Sequence, residues 1–324
     1  MAIAKKNHYS FPLKVSYFNY FNREPLEIQR IKTEFHRKEC EVNGYDFLGE
    51  GNHYSSSFGW QWHKYRNVQI DRLNGTKASY NHLLSFCQGD LSIFKGATCL
   101  EIGSGAGRFT DYLIDLCKTV ISVDSSSAIF HNVALGASNL IACRADLFDI
   151  PIQPDSVDIV FCRGVIQHTP SPRQAVKKLF SYVRNGGKVL FDVYPFKWYT
   201  PFVTKYWIRP FIKNLSSETL AHSIEDWVPQ LLWFKKNFVN EILPRNKFGV
   251  HLSNQIVPIV DATTSNELSS WEHKIQWSIL DTIDMYTPRY DNPMTFRSIV
   301  AIIEDLGTVV QADPSTFCFK AVKR

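Results

Sequence analysis

Three acids and a run of glycines stand where a chain could do chemistry. Glu101 precedes Gly103, Gly105 and Gly107, glycines at alternate positions; Asp124 and Asp146 follow, and then the run Cys162-Arg-Gly-Val-Ile-Gln-His168. A carboxylate beside a glycine turn could engage a ligand's ammonium group. An acid at the next strand tip can accept hydrogen bonds from both hydroxyls of a ribose. Asp146-Leu147, one strand further on, is placed to meet an adenine's exocyclic amine and ring. A dinucleotide fingerprint would set its third glycine at position 108, where this chain has Arg108, and that disfavours a nicotinamide-dependent oxidoreductase.

These residues need strands to carry them, and the hydrophobic pattern supplies candidates. Thr98–Ile102, Thr119–Asp124, Leu140–Cys143 and Val157–Cys162 are short apolar runs that read as buried strands, and Lys188–Tyr194 is a fifth. Helices fit between them. Phe109, Tyr112, Leu113, Leu116 and Cys117 share one face. Ser171 is a candidate N-cap with Pro172 at the first helical position, Ala175, Val176, Leu179, Phe180 and Val183 form the stripe, and Asn185-Gly186-Gly187 would end that helix. A last helix begins near Asn292-Pro-Met-Thr295. Thr308–Ala312 and Thr316–Val322 close the chain as a pair suited to an antiparallel hairpin. The expected fold is therefore α/β: a doubly wound, seven-stranded, mostly parallel sheet of Rossmann-like type, covered on both faces.

Four segments follow: an N-terminal extension and cap (1–79), a ligand-binding core (80–194), an inserted, mainly helical cap (195–291), and the end of the core (292–324). Glu24–Cys40 reads as helical from its charges, and Trp60–Leu73 as a helix closed by Asn74-Gly75. Eight tryptophans and tyrosines fall within 195–285.

Composition narrows the classes. The chain has 324 residues, 44% hydrophobic and 21% charged, with a net charge of +5 and no long Lys/Arg block. That is an ordinary globular balance, and it does not imply nucleic-acid binding. Seven scattered cysteines without a C-x-x-C pair suggest reduced, buried thiols, so no metal is expected. The start of the sequence lacks a signal h-region and no apolar run nears ~20 residues, so a cytoplasmic protein without a transmembrane segment is expected.

Taken together, Glu101-Ile-Gly-Ser-Gly-Ala-Gly107, Val123-Asp124, Ala145-Asp146 with Ile150-Pro-Ile152, Ser156–Phe161 and Val165-Ile-Gln-His168 resemble the motifs of class I S-adenosylmethionine-dependent methyltransferases, in the small-molecule branch that includes quinone-type enzymes. The likeness covers about residues 80–194 and 292–324. Leu280–Asp291 is similar to a segment of bacterial enzymes found with sugar and polysaccharide biosynthesis. Members of that group often carry an N-terminal cysteine-rich metal knuckle, but this chain has only Cys40 there, so no zinc module carries over.

The resemblance implies S-adenosyl-L-methionine as donor and S-adenosyl-L-homocysteine as product. Glu101 would hold the methionine amino group, directly or through water, and Gly103, Ser104, Gly105 and Gly107 would approach the methionine portion. Asp124 would take the ribose. Ser125 and Leu147 would flank the adenine, Ala145-Asp146 would meet its amine, and Cys162 and Arg163 would line the sulfonium end.

His168 is then the leading general-base candidate, since it leaves a strand tip facing the expected methyl. Asp281 and Asp284 are alternatives that local caps or surface ion pairs explain as readily, and His53, His63, His251 and His273 are selected by no motif. Substrate contacts are expected from the caps: Tyr54, Gln61, Trp62, Arg66, Tyr194 and Trp198. The aromatic run Tyr194–Trp207 could stack on a sugar or flat apolar acceptor. With Lys197, Lys205 and Arg209 it could instead touch a lipid surface or an acidic carrier; packing on the core is the plainer reading. The expected activity is O-methylation of a small molecule or saccharide, possibly carrier-linked. A C- or N-methyltransferase and a non-catalytic donor-binding protein are the rivals. The acceptor and the oligomeric state are not written in these motifs.

Overall fold

Seven of the strands that position these residues lie where the apolar runs set them. In the computed structural model they are β3 (Thr98–Ile102), β4 (Thr119–Asp124), β5 (Leu140–Arg144), β6 (Val157–Cys162), β7 (Val183–Asp192), β8 (Gly307–Asp313) and β9 (Cys318–Lys323). The structure describes residues 20–35, 38–49, 56–133, 135–212, 215–268 and 270–324. Two further strands, β1 (Glu27–Phe35) and β2 (Lys38–Asp46), make one sheet of nine in the order β1-β2-β5-β4-β3-β6-β7-β9-β8. Strands β2 to β7 run parallel within it, β1 is antiparallel to β2, and β9 is antiparallel to both β7 and β8.

The sheet thus has nine strands, not the expected seven, and Glu24–Cys40 is not a helix. The charged residues of this segment, Glu24, Glu27, Arg30, Lys32 and Glu34 among them, are why it reads as one. Tertiary demand overrides that local preference. β5 would otherwise present an unpaired edge, and β2 covers it with Gly44, Tyr45 and Asp46 opposite Ala142, Cys143 and Arg144. The hairpin is pinned by Phe21, edge-on to Tyr45 and Phe47 at 5.2 and 5.0 Å, and by the buried Asp46 paired with Arg144 at 3.1 Å.

Both faces of the sheet are covered. One carries the helices Pro172–Tyr182 and Phe296–Leu306, through Val176, Leu179, Ile299 and Ile303; the other carries Ala78–Phe86 and Thr110–Leu116, with Leu83, Phe86, Phe94 and Leu113 around Phe161. Pro172 opens its helix as expected, but Ser171 makes no side-chain cap. The helix ends at Tyr182, and Asn185-Gly186-Gly187 lies inside β7. A Cβ at Gly187 would fall 2.7 Å from the Asp158 carbonyl oxygen, so glycine is what lets β7 run this close to β6.

Residues 204–286 are mainly helical: Thr204–Ile212, Ser217–Phe234, Lys247–Ile256 and Trp271–Tyr286. Their core of Leu220, Ile224, Val228, Leu232, Ile259, Leu280 and Ile283 also takes in Tyr65, Val68 and Ala78. The N-terminal and inserted segments therefore share one apolar centre. Polar ties reinforce it: Lys64 to Glu225 at 2.7 Å, Gln61 to the Thr287 hydroxyl at 2.7 Å, and the His273 ring to the Val68 carbonyl at 2.7 Å. Ser56–Lys64, Arg66–Gln69 and Asp71–Asn74 are three short helices where one was expected, and left-handed Gly75 closes the last. Among the described residues no helix is long and apolar enough to cross a membrane.

Candidate active site

The chain leaves β3 toward β4 and β5 on one side and later returns to β6 and β7 on the other. The carboxyl ends of β3 and β6 therefore part at a topological switch point, where α/β sheets bind ligands. A cavity of about 480 Å³ opens there, roofed by the helical segment, and its size suits a small organic ligand.

Gly103 and Ser104 after β3, Asp124 and Ser125 after β4, Ala145 and Leu147 after β5, and Arg163 after β6 all line it. The turn after β3 is tightly made. Gly103 has φ +77°, and a Cβ there would fall 2.0 Å from a Val165 methyl carbon. At Gly105, φ +54°, a Cβ would fall 2.5 Å from the Trp62 indole, so the cap lies directly on the turn. The amides of Gly103 and Ser104 donate to the Val123 carbonyl, and that of Gly105 to Asp124 Oδ2 at 2.9 Å. These donors are bonded within the protein, so a ligand meets this turn by close approach rather than through them. Asp124 Oδ1 accepts from the Ser126 amide and hydroxyl at 2.7 and 2.6 Å, which fixes the carboxylate at the rim of the cavity.

Other expected donor residues sit behind this wall. Glu101 is buried, and its Oε2 accepts from the Thr110 hydroxyl at 2.5 Å and the Ser122 hydroxyl at 3.3 Å. Burial, with the Asp124 charge adding to it, pushes its carboxyl up to about 7, although the hydroxyls from Thr110 and Ser122 oppose the rise. Gly107 packs against Asn132. Asp146 caps the turn that follows by accepting from the Phe148 amide at 2.8 Å. Cys162 is fully buried in the sheet, and burial raises its thiol far above the usual range. None of these four lines the cavity.

The cap side is acidic and aromatic. Asp281 and Asp284, three residues apart on the Trp271–Tyr286 helix, face the cavity together with Tyr194, His168, Lys205 and Trp277. Burial, with Asp284 beside it, raises the Asp281 carboxyl to about 7. Burial and the Asp291 charge raise Asp284 to about 6. The Asp284 side chain is 31% exposed, but to the enclosed cavity. Asp281 accepts from the Trp277 indole at 3.0 Å, while Lys205 pairs with the buried Asp291 at 2.7 Å.

His168, 5% exposed, lies between the Phe58 and Tyr194 rings at 5.2 and 5.4 Å. Its Nδ1 is 3.0 Å from the Tyr290 carbonyl, which assigns the proton to Nδ1 and the lone pair to Nε2, 4.0 Å from Asp284. Burial holds this imidazole down to about 4, so it is neutral at physiological pH.

Gln61, Trp62 and Tyr194 line the cavity as expected of substrate contacts; Arg66 and Trp198 do not, and Trp198 is 83% exposed. Tyr54 lies outside the described residues. Gln69, His82 and Asp192, which no motif selects, also line the cavity, as does Arg108, whose only expected part was to break a dinucleotide fingerprint. Arg108 is clamped by Ser79 at 3.1 Å and His82 at 2.6 Å and lies over the Phe109 and Trp277 rings. Burial lowers it to about 10 and, with Arg108 beside it, His82 to about 3. Arg163 sits 5.5 Å from the Phe86 and Phe109 rings and 3.6 Å from Asp192.

Three buried polar atoms on cavity-lining side chains have no hydrogen-bond partner among the described residues: Arg163 Nη1, Gln69 Oε1 and His168 Nε2. Buried polar atoms are seldom left so. Each of these atoms is itself shielded from solvent, so they belong to the wall of the cavity rather than to its open face. Among the described residues no group of three or more His, Cys, Asp or Glu side chains could hold a metal.

Comparison with known proteins agrees with this reading of the core. Residues 100–191 match the family model described as a methyltransferase domain. A protein of Mycolicibacterium smegmatis named "Probable S-adenosylmethionine-dependent methyltransferase" is 30% identical over 95 residues, 29% of this chain and 37% of its own length. The malonyl-[acyl-carrier protein] O-methyltransferase of a Paenibacillus species is 26% identical over 104 residues, 29% of this chain and 38% of its own. The ubiquinone biosynthesis O-methyltransferase of Idiomarina loihiensis is 26% identical over 114 residues, 34% of this chain and 47% of its own. The chain thus spans less than half the length of these curated relatives. The match at residues 100–191 is to a methyltransferase domain, and the relatives include proteins named as S-adenosylmethionine-dependent methyltransferases.

Proposed function

We propose that this chain is an S-adenosylmethionine-dependent methyltransferase that methylates an oxygen of a small molecule or saccharide held between the core and the helical cap. The observation that carries the proposal is the cavity itself, which joins the strand tips at Gly103, Asp124 and Leu147 to Asp281, Asp284 and His168. Two lining side chains suit the donor's amino-acid end, since a guanidinium such as that of Arg163 can donate to a carboxylate and an amide oxygen such as that of Gln69 can accept from an ammonium. Glu101, sealed behind the turn, supports that turn through Thr110 and Ser122 rather than touching the amine directly. Asp124 suits the ribose, and Ala145 and Leu147 suit the adenine.

When bound, S-adenosylmethionine supplies a methyl group on a sulfonium, and S-adenosylhomocysteine leaves with the electron pair of the broken carbon–sulfur bond on sulfur. What remains for the protein is alignment, exclusion of water and removal of one proton. Phe58, Trp62 and Trp277 wall off water. A carboxylate with a pKa near 6 or 7 is a better matched base at neutral pH than an imidazole near 4, so Asp281 and Asp284 take precedence over His168 for the proton. His168 and Tyr194 then orient the acceptor.

Transfer of labelled methyl to a panel of hydroxylated acceptors tests the proposal. The wild type labels at least one acceptor, and the doubly substituted Asp281→Asn/Asp284→Asn protein does so at least ~10-fold more slowly with donor affinity kept. A protein that binds the donor and labels nothing in the panel or in a cell extract is a binder, and the proposal fails.

A further inference from the structure

Residues 196–211 carry an apolar surface that the cavity does not use. Phe196, Trp198, Phe202, Trp207 and Phe211 are all exposed, Trp198 by 83% and Phe211 by 86%. The segment is firmly seated. The Trp207 indole donates to the Pro201 carbonyl at 2.9 Å, Thr204 bonds Gln255 of the Lys247–Ile256 helix, and Arg209 donates to the Met285 and Pro288 carbonyls. Ile208 and Ile212 pack against the cap core, so Trp207, Pro210 and Phe211 point outward at helical spacing. These rings already belong to a finished element and have no inner face left to join. Monomeric proteins rarely leave so many large aromatics together in water without a partner.

The charge pattern says what that partner is. Residues 193–217 contain four Lys and Arg and no Asp or Glu. Lys205 and Arg209 are engaged internally with Asp291 and backbone carbonyls, while Lys197 flanks the rings. Trp and Phe set among cations without acids is the composition that settles at a bilayer interface over anionic headgroups. A second copy of this chain fits poorly, because a two-fold contact would lay the acid-free 193–217 segment, with Lys197, against its own copy.

We propose that the aromatic lip of residues 196–211 docks on a lipid bilayer bearing anionic headgroups. The inner side of the lip, Tyr194 and Lys205, lines the cavity, so docking sets the membrane one element away from the proposed acceptor site. The docking does not depend on methyl transfer, and the two stand or fall separately.

Co-sedimentation of the full chain with vesicles tests the docking, using phosphatidylcholine alone and phosphatidylcholine with roughly one-third phosphatidylglycerol. The chain sediments with the mixed vesicles, weakens at least ~10-fold as salt rises to about 0.5 M, and loses at least ~10-fold in affinity as Trp198→Ser/Phe211→Ser. Leu73→Ser, an exposed apolar residue elsewhere, leaves binding unchanged. Quenching of tryptophan fluorescence by brominated lipid gives an independent readout on the unaltered chain. Sedimentation no greater than without lipid, equal binding to neutral vesicles, or undiminished binding by the double variant overturns the proposal. So does a dimer in solution that the double variant dissociates, since the lip would then belong to a second copy.

Discussion

The proton acceptor is decided among three side chains, and pH separates them. Asp281 and Asp284 sit at about 7 and about 6, raised first by burial and then by neighbouring carboxylates, while burial holds His168 at about 4. If the carboxyl pair takes the acceptor's proton, kcat/KM rises between pH 5 and 8 with apparent midpoints near 6 to 7 that belong to the pair. A profile flat above about pH 5 would assign the role to His168 instead. Asp281→Asn carries a second readout. A carboxyl raised in the folded state binds a proton that the unfolded chain has already released, so it lowers stability as pH climbs from about 4 to about 7. Asn does not ionise, so thermal unfolding should show the variant gaining on the wild type by about 1–2 kcal/mol at pH 8, discounted for cavity water, and little at pH 4. These two acids were visible in the sequence but not selectable there. An i, i+3 acid pair reads equally as surface charge until the fold turns that face of the helix inward. Asp124 was legible because strand, glycine turn and strand tip fix its place locally.

At the level of elements, the apolar runs of β3, β4 and β6 mark their strands to the residue, because these strands are short, mostly apolar and buried on both faces, while turn residues bound them. The β1–β2 hairpin was not legible. Its charged residues read as helical, and its conformation is set by the β5 edge, more than ninety residues away in sequence. That edge depends on Asp46, which accepts from the Leu48 and Gly49 amides and pairs with Arg144, whose Nε in turn donates to the Ser125 carbonyl at 3.1 Å. Asp46→Ala removes the carboxylate from a guanidinium that keeps only the Gly49 and Ser125 carbonyls and leaves two amides without their acceptor, and should cost about 1–3 kcal/mol in denaturant unfolding. Because Arg144 reaches Ser125, the same variant should weaken donor binding, read by titration. Unchanged stability would mean that the hairpin is not anchored by this pair.

For the molecule as a whole, the division of labour is between a sheet that presents strand tips and a helical roof that closes over them. The roof was not legible in its detail, since Trp62 on Gly105, and Asp281 lining the same cavity as Asp124, bring together segments far apart in the chain. Arg108 shows the same limit. It was read only as the residue that spoils a dinucleotide fingerprint, yet in the fold it walls the cavity with His82 and Trp277. Everything proposed for the cavity rests on its taking S-adenosylmethionine, and calorimetric titration of the full chain with S-adenosylhomocysteine is the direct test. Saturable one-site binding in the micromolar range, weakened at least ~10-fold by Asp124→Ala, is the predicted result. No heat with this ligand, alongside tight binding of a nicotinamide dinucleotide, would contradict it.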